Sequence, residues 1–301
     1  MTRLIFMILL ALAVVFPSVS WAEEPNAIEA LISPTTRLMI FSPHPDDETL
    51  GAGGLIQRII EAGGRVRVVF MTSGDGFPEG VKIEDHTSTP TPEEYRIYGE
   101  ERRLAALKVL STLGVKKRDV IFLGFPDGGL TSIRSKYIAD PQSYRCPYTL
   151  RSRPPVFERI IPNTDYNGKD LKEELIRVIE DYHPTLVATT PPYDQHPDHN
   201  STYYFVKEAL SAAFNDPESP RPHVLTFLIH YFGWPTDQEA TGLEPPANFH
   251  KKETLWIPFP LKPEEVETKR EAITLYHSQM EVMSRFLLSF ARPNELFVLD
   301  E

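Results

Sequence analysis

Two short stretches of this chain gather the side chains best suited to grip a cation and move a proton. One is Pro43-His44-Pro45-Asp46-Asp47-Glu48 and the other is Gln195-His196-Pro197-Asp198-His199. A hydrolytic zinc site takes three protein ligands from histidine and carboxylate and keeps a further position for water. One His, one Asp and a second His meet that need. A carboxylate beside the ion but not on it can accept the water's proton. A remaining imidazole can face the oxyanion that forms when water attacks an acyl carbon. The inventory fits metal-assisted amide hydrolysis, and at this level it leaves open which aspartate is ligand and which is base. A single His-Pro-Asp is ordinary turn chemistry, because Pro and Asp are turn residues. Two of them, each beyond a predicted strand, ask for more than a turn.

For the two stretches to meet, strand ends distant in the chain must lie side by side. Strands are predicted over 37–42, 66–72, 120–123, 185–190 and 224–232. Helices are predicted over 48–62, 92–113, 170–182, 198–214 and most of 262–291. Gly63-Gly64 and Gly114 read as helix stops. Such alternation implies an α/β, Rossmann-like architecture, a mainly parallel sheet with helices on both faces. Ligands of such sheets gather beyond the carboxyl ends of the strands, where both stretches fall. Residues 125–168 and 235–252 break the rhythm and are expected to be long loop insertions that rim the site.

With these motifs in place the chain resembles the LmbE-like, or PIG-L, family of zinc-dependent de-N-acetylases. The likeness rests on 43–48 and 196–199 and extends to Thr72-Ser73-Gly74-Asp75-Gly76, to the stretch 122–130 and to Tyr276-His277-Ser278-Gln279, in the family's order. The resemblance implies that His44, Asp47 and His199 bind Zn2+ and that Asp46 is the general base. It implies that His196 stabilises the oxyanion or protonates the leaving amine. Asp198 would orient His196 and favour a charged imidazole. Asp127 and Arg102 are the implied substrate-binding residues, with turn geometry and a solvated helix arginine as their alternative readings.

The chain departs from the family pattern at two places. Ala105 stands where a glutamate usually follows the arginine, and Asp194 stands where some members carry an oxyanion-assisting tyrosine, with Tyr193 one residue earlier. Glu48 is read as a first-turn carboxylate favoured by the helix dipole, and His277 as a helix–helix contact. His86, His223, His230 and His250 are assigned nothing.

The bulk numbers narrow the classes. With 301 residues the chain is long enough for a large core. A formal net charge of -11 opposes nonspecific nucleic-acid binding and leaves neutral or cationic substrates open; the resemblance implies a small-molecule or glycan substrate. Cys146 is a lone cysteine and can form neither an internal disulfide nor a cysteine-based zinc site. Residues 1–22 have the layout of a secretory signal peptide, with Arg3, an apolar run over 4–16 and Ser20-Trp21-Ala22 before Glu23. The run is short for a spanning anchor. An exported protein, periplasmic or secreted, is therefore expected, with one catalytic domain over 23–301 and no stable membrane span after cleavage. Two competing readings are a non-catalytic, zinc-containing carbohydrate-binding protein and a nucleotide-binding protein suggested by Gly51-Ala52-Gly53-Gly54. Those glycines fall inside a predicted helix, not in the turn before it.

Overall fold

Alternate side chains of the first strand enter two different cores, Leu38 and Ile40 on one face and Met39 and Phe41 on the other. That division is what a strand covered on both faces requires. The computed structural model describes residues 26–139, 143–216, 218–250 and 254–300. Its elements are β1 (Arg37–Ser42), α1 (Asp47–Glu61), β2 (Arg65–Thr72), α2 (Pro78–Glu84), α3 (Pro92–Thr112), β3 (Val120–Phe125), α4 (Leu130–Ser135), α5 (Gly168–Tyr182), β4 (Leu186–Thr189), α6 (Pro197–Ala213), β5 (His223–Phe227), β6 (Trp256–Pro260), α7 (Pro263–Thr274), α8 (His277–Leu288) and β7 (Asn294–Asp300). The strands form one seven-stranded sheet in the order β3-β2-β1-β4-β5-β7-β6. The first five are parallel, and β7 runs antiparallel to both β5 and β6. The expected α/β class and mainly parallel sheet are thus present.

Several boundaries and elements differ from expectation. The fifth strand ends at Phe227, not at residue 232, because the chain then turns to present the N–H groups of Ile229 and His230 to the Asp194 carboxylate. The helix expected over 262–291 is two helices, broken at Leu275–Tyr276, and the break lets Tyr276 reach Glu48. Strand β6 carries Pro258 and Pro260 and so does not read as a strand; it lies at the sheet edge, where proline is tolerated.

Helix α1 carries the first motif and has a kink at Ala52 (φ -142°, ψ 17°). A side-chain pair stands in the gap. The Gly54 N–H, whose regular partner is the Leu50 carbonyl, donates to Glu295 at 2.7 Å, and the Leu55 N–H donates to the same carboxylate at 2.9 Å. The Leu50 carbonyl accepts from Lys269 Nζ at 2.8 Å, and Lys269 pairs with Glu295 at 2.7 Å. A Cβ on Gly51 would lie 2.0 Å from the Phe227 ring, so α1 approaches β5 only because this position lacks a side chain. The glycine run is a packing surface within a helix. Among the described residues no helix is long and apolar enough to cross a membrane. The proposed signal segment lies outside the described residues.

Candidate active site

The loop after β1 is shaped by its own side chains. The Ser42 hydroxyl donates to the His44 carbonyl at 2.8 Å, and the His44 N–H donates to Asp47 Oδ2 at 2.9 Å. Asp46 has φ 134°, a region an L-residue occupies only under constraint. The constraint comes from Glu48, whose carboxylate accepts the Asp46 N–H at 3.1 Å, the Thr49 hydroxyl at 2.6 Å and the Tyr276 hydroxyl at 2.6 Å. Glu48 is fully buried, and burial raises its pKa against those bonds. It ties the loop to the α7–α8 turn, a larger role than dipole compensation.

The second motif opens α6. His196 is its N-cap, with Nδ1 accepting the Asp198 N–H at 3.3 Å. Three donor atoms from the two motifs converge. His44 Nδ1 lies 3.2 Å from Asp47 Oδ2 and 3.2 Å from His199 Nε2, and Asp47 Oδ2 lies 3.1 Å from His199 Nε2. Two imidazole nitrogens so close need a proton or a cation between them. For ligand bonds of about 2.0–2.1 Å, the edge of a zinc tetrahedron is roughly 3.3 Å, which these sides approach. The donor chemistry and the spacing fit such an ion. Looser groupings, within 4.8 Å, draw in His196, His230, Asp127 and Asp198. The His44–Asp47–His199 triangle, with all three sides at 3.1–3.2 Å, has the spacing of a single coordination sphere.

The charges agree. Burial disfavours the charged form of His199, but Asp47 and Asp194 outweigh it and lift the pKa to about 9. His44 is held well above its ordinary value, burial again being outweighed, here by Asp127, Asp198 and Asp47. Asp47, although buried, is held well below its ordinary value by His199 and His44. The cluster is built around positive charge at that point. Asp46 stands beside the triangle and is pushed up to about 7 by burial, with Arg102 pulling the other way.

The outer contacts depart from several expectations. Arg102 is not a solvated helix arginine; it is 5% exposed and donates to Gly74 O at 3.0 Å, Pro45 O at 2.7 Å and Asp46 Oδ2 at 3.1 Å. Asp198 does not orient His196 through its carboxylate. Its oxygens accept the N–H groups of Gly128 at 2.6 Å and Leu130 at 3.1 Å, and so clamp the loop after β3. Among the described residues, no carboxylate pairs with the His196 ring to keep it charged. Burial and the neighbouring His44, His199 and His230 push its pKa down to about 2. Asp127 faces His44 Nε2 at 3.2 Å and accepts the Gly76 N–H at 2.9 Å, so it orients the His44 ring as well as lining the cleft. Tyr193 packs against Phe249 and Trp256. His277 is exposed, and its motif contributes Tyr276 and Gln279 instead, the latter donating to Pro45 O at 3.3 Å.

Two residues of the site escape local reading. Asp194 accepts the His196 N–H at 2.9 Å and the Ile229 and His230 N–H groups at 3.0 Å each, with Oδ2 3.2 Å from His199 Nδ1. His230, just beyond β5, brings its ring within 4.9 Å of His199 and 5.3 Å of His196, centroid to centroid. Burial and the charge of His199 lower its pKa to about 4. The position after a parallel strand was the available signal, hidden because the strand was expected to run on through it.

These residues open on a cleft of about 220 Å3. Asp46, Arg102, Asp127, His196 and His230 form its polar wall, and Leu50, Phe77, Met283, Phe286 and Leu287 its apolar wall. A neighbouring cleft of about 300 Å3 and another of about 550 Å3 contain none of the triangle residues. Among the described residues, α8 supplies the wall expected from 235–252, and the 125–168 segment contributes Asp127.

A profile of the PIG-L family, described as GlcNAc-PI de-N-acetylase, matches residues 39–210. A 1D-myo-inositol 2-acetamido-2-deoxy-alpha-D-glucopyranoside deacetylase of Corynebacterium urealyticum is 24% identical over 81% of this chain and 71% of its own length. A protein of the same name from Mycobacterium leprae is 27% identical over 60% of this chain, and the match spans about half, 52%, of its length. Among solved structures, an N,N'-diacetylchitobiose deacetylase from Pyrococcus horikoshii shares 18% identity with a TM-score of 0.54, covering 88% of this chain and 84% of that one. A deacetylase of the teicoplanin biosynthetic pathway shares 17% identity with the same TM-score, covering 88% and 97%. At these identities the structural likeness is one of fold.

Proposed function

We propose that this chain, which belongs to the PIG-L family of de-N-acetylases, is a zinc-dependent hydrolase that removes the N-acetyl group of an amino sugar such as an N-acetylglucosamine conjugate. One observation carries the reading. Three donor atoms spaced at 3.1–3.2 Å stand beside a carboxylate, Asp46, that belongs to the same loop and is not one of them. A pure binding protein needs no such base.

His44, Asp47 and His199 would hold the ion. Bound there, zinc polarises an acyl carbonyl and brings the pKa of water toward neutrality. Asp46 accepts a proton as water attacks the acyl carbon, and Arg102, 3.1 Å away, fixes the carboxylate's direction. Because His196 Nδ1 accepts a backbone N–H, the neutral ring carries its proton on Nε2 and can donate to the oxyanion. Asp46 then returns its proton to the departing nitrogen, giving acetate and a free amine. Asp127, Arg102 and the apolar wall would recognise the sugar and the group attached to it. The relatives' names, inositol-linked and chitobiose deacetylases, support an amino-sugar substrate. The layout of residues 1–22 supports export, and with it an envelope or extracellular glycan.

Acetate release by the zinc-loaded protein, measured across soluble and lipid-linked N-acetylglucosamine compounds, tests the proposal. Asp46→Asn is expected to lower kcat by about 10²–10⁴-fold. A wild type that releases nothing, or a variant equal to it, overturns the reading.

A further inference from the structure

We propose that His230 is a further catalytic residue, a second imidazole that donates to the acyl oxygen as the tetrahedral centre forms. The inference rests on the hydrolytic reading above and deepens it.

Four observations carry it. First, His230 stands just past the carboxyl end of β5, beside β4 in the sheet, so it shares the rim that presents His196 and His199. Second, its placement is coupled to the ligand set. The His230 N–H donates at 3.0 Å to Asp194 Oδ2, the oxygen that lies 3.2 Å from His199 Nδ1. Third, its ring is fixed by stacking on Phe286, with centroids 5.2 Å apart and planes 11° from parallel.

Fourth, the ring lines the cleft, and neither of its nitrogens has a protein hydrogen-bond partner among the described residues. His196 Nδ1 is engaged by a backbone N–H, His44 Nδ1 and His199 Nε2 face one another and Asp47, and the outer nitrogens of those two rings lie 3.2 Å from Asp127 and Asp194 without a hydrogen bond. An imidazole whose polar atoms face the cleft unsatisfied is available to a ligand. One of its nitrogens lies within 4.8 Å of donor atoms on Asp47 and His199. It is close enough to contact a group bound on the triangle's open side. The step needs no co-reactant. His230 lends a hydrogen bond, and the proton that reaches the amine is still the one Asp46 took from water.

The test compares wild type, His230→Phe and His230→Asn, all zinc-loaded. Phenylalanine keeps a ring to stack on Phe286, and asparagine keeps a donor. Should either variant fail to fold, the other decides. His230→Phe is expected to lose about 10²-fold in kcat, as removal of one oxyanion donor does, with KM within about twofold and zinc content unchanged. Its affinity for a tetrahedral phosphonate analogue, read by calorimetry, should fall in step with kcat/KM. His230→Asn should bind the analogue and turn over better than His230→Phe. An unchanged kcat in both variants, a loss confined to KM, or loss of zinc overturns the assignment. A silent wild type sinks the hydrolytic reading and this inference together. An active wild type beside unaffected variants sinks this inference alone.

Discussion

His199 meets a carboxylate at each ring nitrogen, Asp47 at Nε2 and Asp194 at Nδ1. A carboxylate behind a ligating imidazole fixes its tautomer and strengthens it as a donor. Asp194→Asn should therefore weaken zinc binding by about 10–100-fold, measured by competition with a chelator, and unchanged affinity would count against that role. The same geometry sets the pH dependence. His199, with a pKa of about 9 without metal, is protonated at pH 7 and must lose that proton to bind an ion. Zinc affinity should rise with pH up to about 9 and level off beyond. Calorimetry in buffers of different ionisation enthalpy should register proton release at pH 7, and its absence would contradict the assignment. His44, Asp47 and His199 were legible because each motif is contiguous and the resemblance assigns its residues. Asp194 was not, because it stands in a turn ahead of the motif where an aspartate is ordinary, and His230 was not, because its link to the site is a contact 36 residues apart that a strand end conceals.

At the scale of elements, the loop holding His44 and Asp46 is only as rigid as the helix that follows it. Helix α1 is interrupted one turn in, and the interruption is filled by the buried Lys269–Glu295 pair. Removing either partner strands the other. Glu295→Ala leaves the Lys269 charge with only the Leu50 carbonyl and deprives the Gly54 and Leu55 N–H groups of their acceptor. It should cost about 3–5 kcal/mol, the range for breaking a buried pair. Lys269→Met should cost less, since Glu295 keeps both backbone donors. Urea midpoints rank the two variants, and equal or reversed costs would refute the account. Strand and helix types were readable here from periodicity. The kink was not, because its cause comes from α7 and β7, more than two hundred residues further along the chain.

For the whole molecule, the sheet order explains why the two motifs meet. From β1 the chain adds β2 and β3 on one side and then returns to place β4 on the other. Loops leaving neighbouring strands at such a switch point diverge and leave a crevice. His44 follows β1 and His199 follows β4, so the crevice receives one motif from each side. That parallel sheet was legible from the alternation of elements. The two antiparallel strands at the far edge were not, since prolines and a C-terminal position hide them. An ion in this crevice joins β1 and α1 to β4 and α6 and relieves the crowding of Asp46, Asp47, Asp127 and Asp198, all buried together. Metal should then act as a cross-link between the two arms of the sheet. Free zinc at a hundred times its dissociation constant contributes about 2.7 kcal/mol, or roughly 4–5 °C in Tm at an unfolding entropy of about 2.1 cal/mol/K per residue. Asp47→Ala and His199→Ala should abolish the shift while the metal-free proteins still melt cooperatively. A wild type whose midpoint is the same with chelator and with zinc would mean that the two arms are not joined through these residues.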